Sequence, residues 1–150
     1  MITIRQAAQN DASTISDFQQ KMAKETENVL LDPIVLSEGI QRLFDDPAKG
    51  KYYVAENDGD VVGCMMITYE WSEWCCGNVL WIQSVYIKSS HRGKGVFKKM
   101  YKHMQSMVTP GAGYRGIRLY VDKSNAVAQK VYEKLGMNGE HYQVYEWMGS

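Results

Sequence analysis

The sequence predicts an α/β (α+β) fold in which a mixed sheet is covered by helices, all within one domain spanning residues 1–150. Three observations carry that expectation. Period-2 and period-3.6 apolar patterns succeed one another in the order strand, two helices, three strands, helix, strand, helix, strand. The stretch Asn57-Asp58-Gly59-Asp60 is a strong turn signal between two strand patterns, so an antiparallel hairpin belongs in the middle of the chain. No internal repeat or linker divides the 150 residues, a length that suits one domain with a sizeable core.

Each element has its own local cause. Thr3 to Ala7 alternates like a short strand, and Asp11 offers an N-cap to a helix carrying Ile15, Phe18 and Met22 at helical spacing. The polar stretch Glu25-Thr26-Glu27-Asn28 reads as a loop. Asp32-Pro33, a cap followed by a first-turn proline, opens a second helix with Leu36, Ile40, Leu43 and Phe44 on one face. Lys51 to Glu56 and Val61 to Glu70 form the hairpin strands, and a Trp-rich connection over residues 71–77 leads to a strand at about Val79 to Ile87. Phe97, Met100, Tyr101, Met104 and Val108 mark an amphipathic helix that Thr109-Pro110-Gly111 ends. Ile117 to Val121 is a strand, Ala128, Val131, Tyr132 and Leu135 mark a helix stopped by Gly136, and Gln143 to Met148 reads as a final strand.

Composition narrows the function. Seventeen basic and 17 acidic residues give a formal net charge of zero, so no overall field draws the chain to nucleic acid or to an anionic membrane. The longest apolar run, around Val61 to Ile67, is far short of the roughly 20 residues that span a bilayer. Met1-Ile2-Thr3-Ile4-Arg5 lacks the basic-then-apolar pattern of a secretory signal, and a cytoplasmic protein is expected. Cys64, Cys75 and Cys76 have no C-x-x-C spacing, and His91, His103 and His141 are scattered, so no metal is expected.

The most informative segment is His91-Arg92-Gly93-Lys94-Gly95-Val96-Phe97, where a strand hands over to a helix. Gly93 and Gly95 permit backbone conformations closed to other residues, and successive N–H groups at a helix start suit an anion of the phosphate kind. Arg92 and Lys94 add positive charge. Taken alone, the segment is either such a nest or an ordinary tight turn with solvated charges. It is not a Walker loop, since G-x-x-x-x-G-K-[ST] is missing, and Lys98 stands where a dinucleotide fingerprint needs a small residue.

A second segment, Asn125-Ala126-Val127-Ala128-Gln129-Lys130-Val131-Tyr132-Glu133-Lys134-Leu135-Gly136, is by itself a capped helix with an apolar stripe. In order after the glycine turn, with a strand between them, it resembles the GNAT superfamily of acetyl-CoA-dependent N-acetyltransferases. The resemblance covers most of the chain. It implies a mixed, mostly antiparallel twisted sheet of about six to seven strands flanked by about four helices.

The resemblance also implies roles by position. The R-x-x-G-x-[GA] loop of the family falls on Arg92, Gly93, Lys94, Gly95, Val96 and Phe97, whose backbone N–H groups would cradle the coenzyme A pyrophosphate. The strand around Val85, Tyr86 and Ile87 would be the family's bulged strand, which splays from its neighbour and hydrogen-bonds the pantetheine. Asn125 matches the asparagine that contacts the cofactor arm, and Tyr132 the tyrosine that faces the sulfur as general acid. Phe97 departs from the family's Gly or Ala, and its ring must turn into the core or away from the cofactor. Gln83 stands where many relatives carry a glutamate base. An amide cannot take a proton, which leaves Gln83 positioning water or substrate.

Acidic groups beside indoles suit a cationic amine, which makes Glu73, with Glu70, Trp71 and Trp74, candidates on one side of the acceptor and Glu25 and Glu27 on the other. The alternative for the tryptophans is a solvated hairpin tip or a homodimer contact. The implied activity is acetyl transfer from acetyl-CoA to a small-molecule or peptide amine, directly and in a ternary complex. The competing reading is a non-catalytic acyl-CoA-binding sensor or interaction module on the same fold.

Overall fold

The computed structural model describes residues 1–149, which form two compact units, residues 1–119 and residues 120 onward. The first unit holds a five-stranded sheet in sequence order: β1 (Ile2–Gln6), β2 (Lys51–Asn57), β3 (Asp60–Ser72), β4 (Gly77–Ile87) and β5 (Tyr114–Leu119). All neighbours are antiparallel except β4 and β5, which run parallel. That parallel step needs a crossover, and α3 (Val96–Met107) provides it. The helices α1 (Ala12–Glu27) and α2 (Pro33–Asp45) fill the connection between β1 and β2.

Strand alternation sorts the core between two faces. Ile15 and Phe18 of α1 and Ile40 and Leu43 of α2 are buried with Tyr52, Val54, Cys64 and Tyr86. On the other face, Tyr53 next to Tyr52 meets α3, through a ring contact with His103 and a hydrogen bond from its hydroxyl to the Met107 sulfur at 3.7 Å. Val96, Met100 and Met104 of α3 are buried, so these two methionines are core, while Met107 at the helix end is half-buried. The β2–β3 hairpin turns on Asp58 and Gly59, both with positive φ (53° and 85°), as a two-residue primed turn requires.

Asp32 caps α2 as expected, its carboxylate accepting from the N–H groups of Ile34 (2.9 Å) and Val35 (3.3 Å). Asp11 does not cap α1. Its carboxylate is buried and accepts from the Ala8 N–H and from the Arg5 guanidinium, both at 2.7 Å, and the guanidinium holds it below its ordinary pKa. Arg5 also reaches Glu56 at 2.7 Å, which ties β1, the start of α1 and β2 together.

Three further expectations are corrected. Residues 25–27 are the last turn of α1 rather than a loop, and Asn28, left-handed at φ 53°, stops the helix one residue later. The fifth strand is Tyr114–Leu119, three residues earlier than Ile117 at its start. Gln143–Met148 forms no strand, so the described sheet has five strands rather than six or seven. An alternating pattern fits a pleat, but strand formation depends on a ladder partner that periodicity does not specify. In the second unit, α4 (Ala126–Lys134) ends at Gly136 (φ 90°) as expected.

Candidate active site

In the first unit the chemistry gathers along β4. Its two edges differ: β3 pairs with it over its whole length, whereas β5 pairs only from Asn78 to Ile82. Beyond Ile82, β4 has no strand on the β5 side among the described residues. The register breaks at the same place. Met66 lies opposite Ser84 and Ile67 opposite Ile82, so Gln83 is the extra residue of a β-bulge. Val85, Tyr86 and Ile87 then form the stretch without a partner on that edge.

Two side-chain hydrogen bonds grip this bulge. Gln83 Nε2 donates to Thr68 Oγ1 of β3 at 2.9 Å, and the buried Gln19 of α1 donates from Nε2 to Ser84 Oγ at 3.1 Å. Thr68 lies opposite Trp81, and Trp81 beside Arg118 of β5, so these three side chains share a face with Glu70, two residues on from Thr68. Glu70 and Arg118 form an ion pair across β4. An aromatic, an amide, a hydroxyl and a pair of opposite charges therefore line one stretch of sheet.

After β4, a single 3-10 turn (Ser89–His91) leads into the glycine segment. Gly93 and Gly95 have φ of 75° and 79°, in the left-handed region. A Cβ on either would meet nothing within 4 Å, so the backbone there is bare toward open space. Gly95 is the N-cap of α3 and offers no side chain, while the first helical bond closes from the Lys99 N–H to the Gly95 carbonyl at 3.1 Å. By helix geometry the N–H groups of Val96, Phe97 and Lys98 point forward out of the helix. Open N–H groups at a helix start, with the helix dipole behind them, suit an anion.

Phe97 does not obstruct this. Its half-buried ring lies 6.2 Å from that of Tyr101, one turn along α3, and its N–H stays at the helix mouth. Val96 is buried, and Lys94 is exposed at the rim. Arg92 behaves differently from its neighbours. Its Nε donates to the Ile87 carbonyl at 2.9 Å, its Nη2 meets Glu25 Oε2 at 2.7 Å, and its guanidinium lies 5.3 Å from the centre of the Tyr86 ring. The side chain thus links the end of β4 to the last turn of α1.

In the second unit, Asn125 is the N-cap of α4, its Oδ1 accepting from the Ala128 N–H at 3.1 Å. The carbonyl end is thereby committed, and the amide Nδ2 is the end able to donate to a ligand. Tyr132 follows two turns on, half-buried, and burial pushes its hydroxyl above the ordinary phenol pKa.

Gln83, Val85, Tyr86, Ile87 and the segment Arg92–Phe97 thus lie on consecutive pieces of the first unit, and Asn125 and Tyr132 on α4 of the second. Glu73 stands apart. It sits in the exposed β3–β4 turn, where the Cys76 N–H reaches the Glu73 carbonyl at 3.3 Å and Cys76 has φ 49°. With Glu70, Trp71, Ser72 and Trp74 it lines an open cleft of about 410 Å³. Gln83 lies six residue steps along β4 from Gly77, about 20 Å at strand rise. Glu73 is therefore not among the residues gathered at the bulge. Glu25 is engaged by Arg92, which removes it as an unpaired base. Gln19, Thr68 and Arg118 carry no signal in the sequence, since only the register and helix packing bring them to Gln83.

Among the described residues no group of three or more His, Cys, Asp or Glu side chains is arranged to hold a metal ion, and no helix is long and apolar enough to cross a membrane. Cys64 is buried, which pushes its thiol up to about 12, and Cys75 and Cys76 are exposed.

A mixed sheet whose parallel strands part beside a bulge is thus followed by a bare glycine turn at a helix start. The family description "Acetyltransferase (GNAT) family" matches residues 15–137, across both units, and the chain belongs to that family. A possible acetyltransferase from Clostridium difficile 630 is 41% identical, with a TM-score of 0.92 over 100% of this chain and 99% of that one. An aminoglycoside acetyltransferase from an uncultured soil metagenomic sample, solved in complex with sisomicin, superposes with a TM-score of 0.80 at 16% identity, over 99% of this chain and 96% of that one. The aminoglycoside N-acetyltransferase AAC(6')-Iy, solved in complex with CoA, gives 0.80 at 16% identity over 99% and 95% of the two chains. The last two share the fold with this chain. A search of the curated proteins gives no match.

Proposed function

We propose that this acetyltransferase moves the acetyl group of acetyl-CoA to a primary amine on a small molecule or peptide, by direct transfer in a ternary complex. One observation carries the reading: the edge of β4 from Gln83 to Ile87, without a strand partner among the described residues, leads through one 3-10 turn to two left-handed glycines at the head of α3. The peptide groups of Val85, Tyr86 and Ile87 would hold the pantetheine as an added strand. The N–H groups around Gly93, Gly95, Val96 and Phe97 would take the pyrophosphate, with Lys94 at the rim. Asn125 would donate to the cofactor arm.

The bond between amine nitrogen and acetyl carbon forms as the carbon–sulfur bond breaks. The amine gives up one proton and the departing sulfur takes one. An amine with pKa near 10.4 is neutral in about one molecule in 2,500 at pH 7, which costs about 4.6 kcal/mol. Desolvation on the Trp81 face and a water held by Gln83 would offset this, while Thr68 fixes the amide's orientation. Tyr132 would donate to the sulfur. Its reference pKa near 10 already exceeds a thiol's 8.5, making full proton transfer uphill by about 2 kcal/mol, and burial adds to that. Its proton therefore moves late, and the hydroxyl stays protonated throughout the neutral range.

The test is calorimetry with acetyl-CoA combined with thiol release across a panel of primary amines. Binding with turnover on an amine supports the reading. Tyr132→Phe then lowers kcat by about 10²-fold or more with little change in CoA affinity. Binding without turnover on any amine favours the sensor reading, and absence of binding refutes both.

A further inference from the structure

The Arg92–Glu25 contact assigns work to a residue outside the turn. We infer that Glu25 is a positioning residue: paired with Arg92, it clasps the last turn of α1 to the end of β4 and so holds the Gly93–Phe97 turn open for a phosphate. This rests on the cofactor reading above.

The argument begins with what Arg92 has left to give. Its Nε is spent on the Ile87 carbonyl at 2.9 Å, its Nη2 on Glu25 at 2.7 Å, and its Cζ stands over the Tyr86 ring, 5.3 Å from its centre. Tyr86 is buried and meets Phe18 of α1 at 5.1 Å, so the guanidinium sits over a ring that α1 already holds in place. Three fixed directions at once suit the planar fork of arginine and no other side chain. The residue after Arg92 is Gly93, at φ 75°, and glycines on both sides of Lys94 give this turn little stiffness of its own. An anchor immediately before the first glycine sets where the following N–H groups aim. Glu25 completes that anchor from a different element, 67 residues away in sequence.

Two roles for Arg92 predict opposite signs. If Arg92 is a phosphate ligand, Glu25 is a competing anion, and Glu25→Gln tightens CoA. If the pair is a clasp, Glu25→Gln releases the turn and weakens CoA by about three- to fivefold, the range of an exposed, well-formed ion pair. The charge-swapped double variant Glu25→Arg with Arg92→Glu separates them again, since it re-forms a pair but puts a negative charge where a ligand cation would stand.

The experiment measures CoA affinity by calorimetry and backbone amide order parameters by nitrogen relaxation over residues 93–97 of the ligand-free protein, for wild type, E25Q, R92K and the double variant, with Tm recorded for each. The expected result is lower order parameters and weaker CoA binding in E25Q and R92K at near-wild-type Tm, with partial recovery of both in the double variant. Unchanged or tighter CoA binding in E25Q, or a double variant worse than either single change, overturns the clasp. Lower order parameters in E25Q of a protein whose wild type ignores CoA keep the clasp and refute the cofactor reading instead. Unchanged order parameters with intact CoA binding do the reverse.

Discussion

Replacing Gly95 with alanine separates the turn's backbone conformation from its ligand role. At φ 79° and ψ 16° an L-residue is strained, at about 1–2 kcal/mol, and since a Cβ there meets nothing within 4 Å the cost stops at that strain. For a chain of this length the loss lowers Tm by about 2–8 °C. On the cofactor reading the effect on CoA is larger, because the new methyl group would stand in the open space that a phosphate needs to reach the N–H groups of Val96 and Phe97. Losing one charge-assisted hydrogen bond, about 1.5–3 kcal/mol, weakens binding by roughly ten- to a hundredfold. Gly59→Ala is the control, since Gly59 is equally left-handed at φ 85° and equally uncrowded, but lies in the β2–β3 turn. Calorimetry well below both melting points, together with thermal unfolding, reads the two effects apart. Similar Tm losses with CoA affinity lost only in Gly95→Ala are expected. A Gly95→Ala protein that binds CoA like wild type refutes the assignment of this turn to the phosphates.

Two further predictions concern stability. Asp11 has its pKa lowered by Arg5, so the folded state binds fewer protons than the unfolded state at acid pH. Its contribution is complete above about pH 4 and is lost as pH falls through the depressed folded value. Asp11→Asn therefore lowers stability by about 2 kcal/mol at neutral pH and narrows to a smaller difference below pH 4, as urea titrations at pH 7 and pH 3 would register. A constant difference would refute the Arg5–Asp11 link as its source. Phe18 is 1% exposed and packs on Tyr86, so Phe18→Ala costs about 3–5 kcal/mol in the same assay. A loss under about 1 kcal/mol would mean that the α1 face is not the packed core of the sheet.

What the sequence discloses and withholds follows one physical line. Apolar periodicity reports a segment's own buried face, so α2, the Asp58-Gly59 turn and the stripe of α3 are legible from residues alone. Asp32 works as a cap because nothing stronger competes for its carboxylate, whereas Asp11, with the same local signature, is taken by Arg5 across the fold. The last turn of α1 reads as polar, and polar residues at a helix end look like loop until Asn28 is seen to adopt the left-handed stop. Gln143–Met148 alternates correctly, yet no strand forms there, because a strand needs a partner edge.

The candidate site shows the same division more sharply. Gly93 and Gly95 are legible because a left-handed backbone selects glycine, and the reason for the residue is present in the residue. The bulge is not, since any residue can be the extra one. It falls on Gln83 because the β3–β4 register slips between Met66 and Ile67, two residues before the open-edged stretch that the family resemblance indicated at Val85. Register is also what brings Thr68 to Gln83 and Arg118 to Glu70, and helix packing brings Gln19 to Ser84. Arg92 stands between the two cases. Its place beside Gly93 advertises a charge for the ligand, but the geometry spends that charge on Glu25 and the Ile87 carbonyl. On the clasp reading a cation next to a phosphate turn need not touch phosphate, and whether it would bind the anion or aim the backbone that does depends on a partner chosen by the tertiary fold.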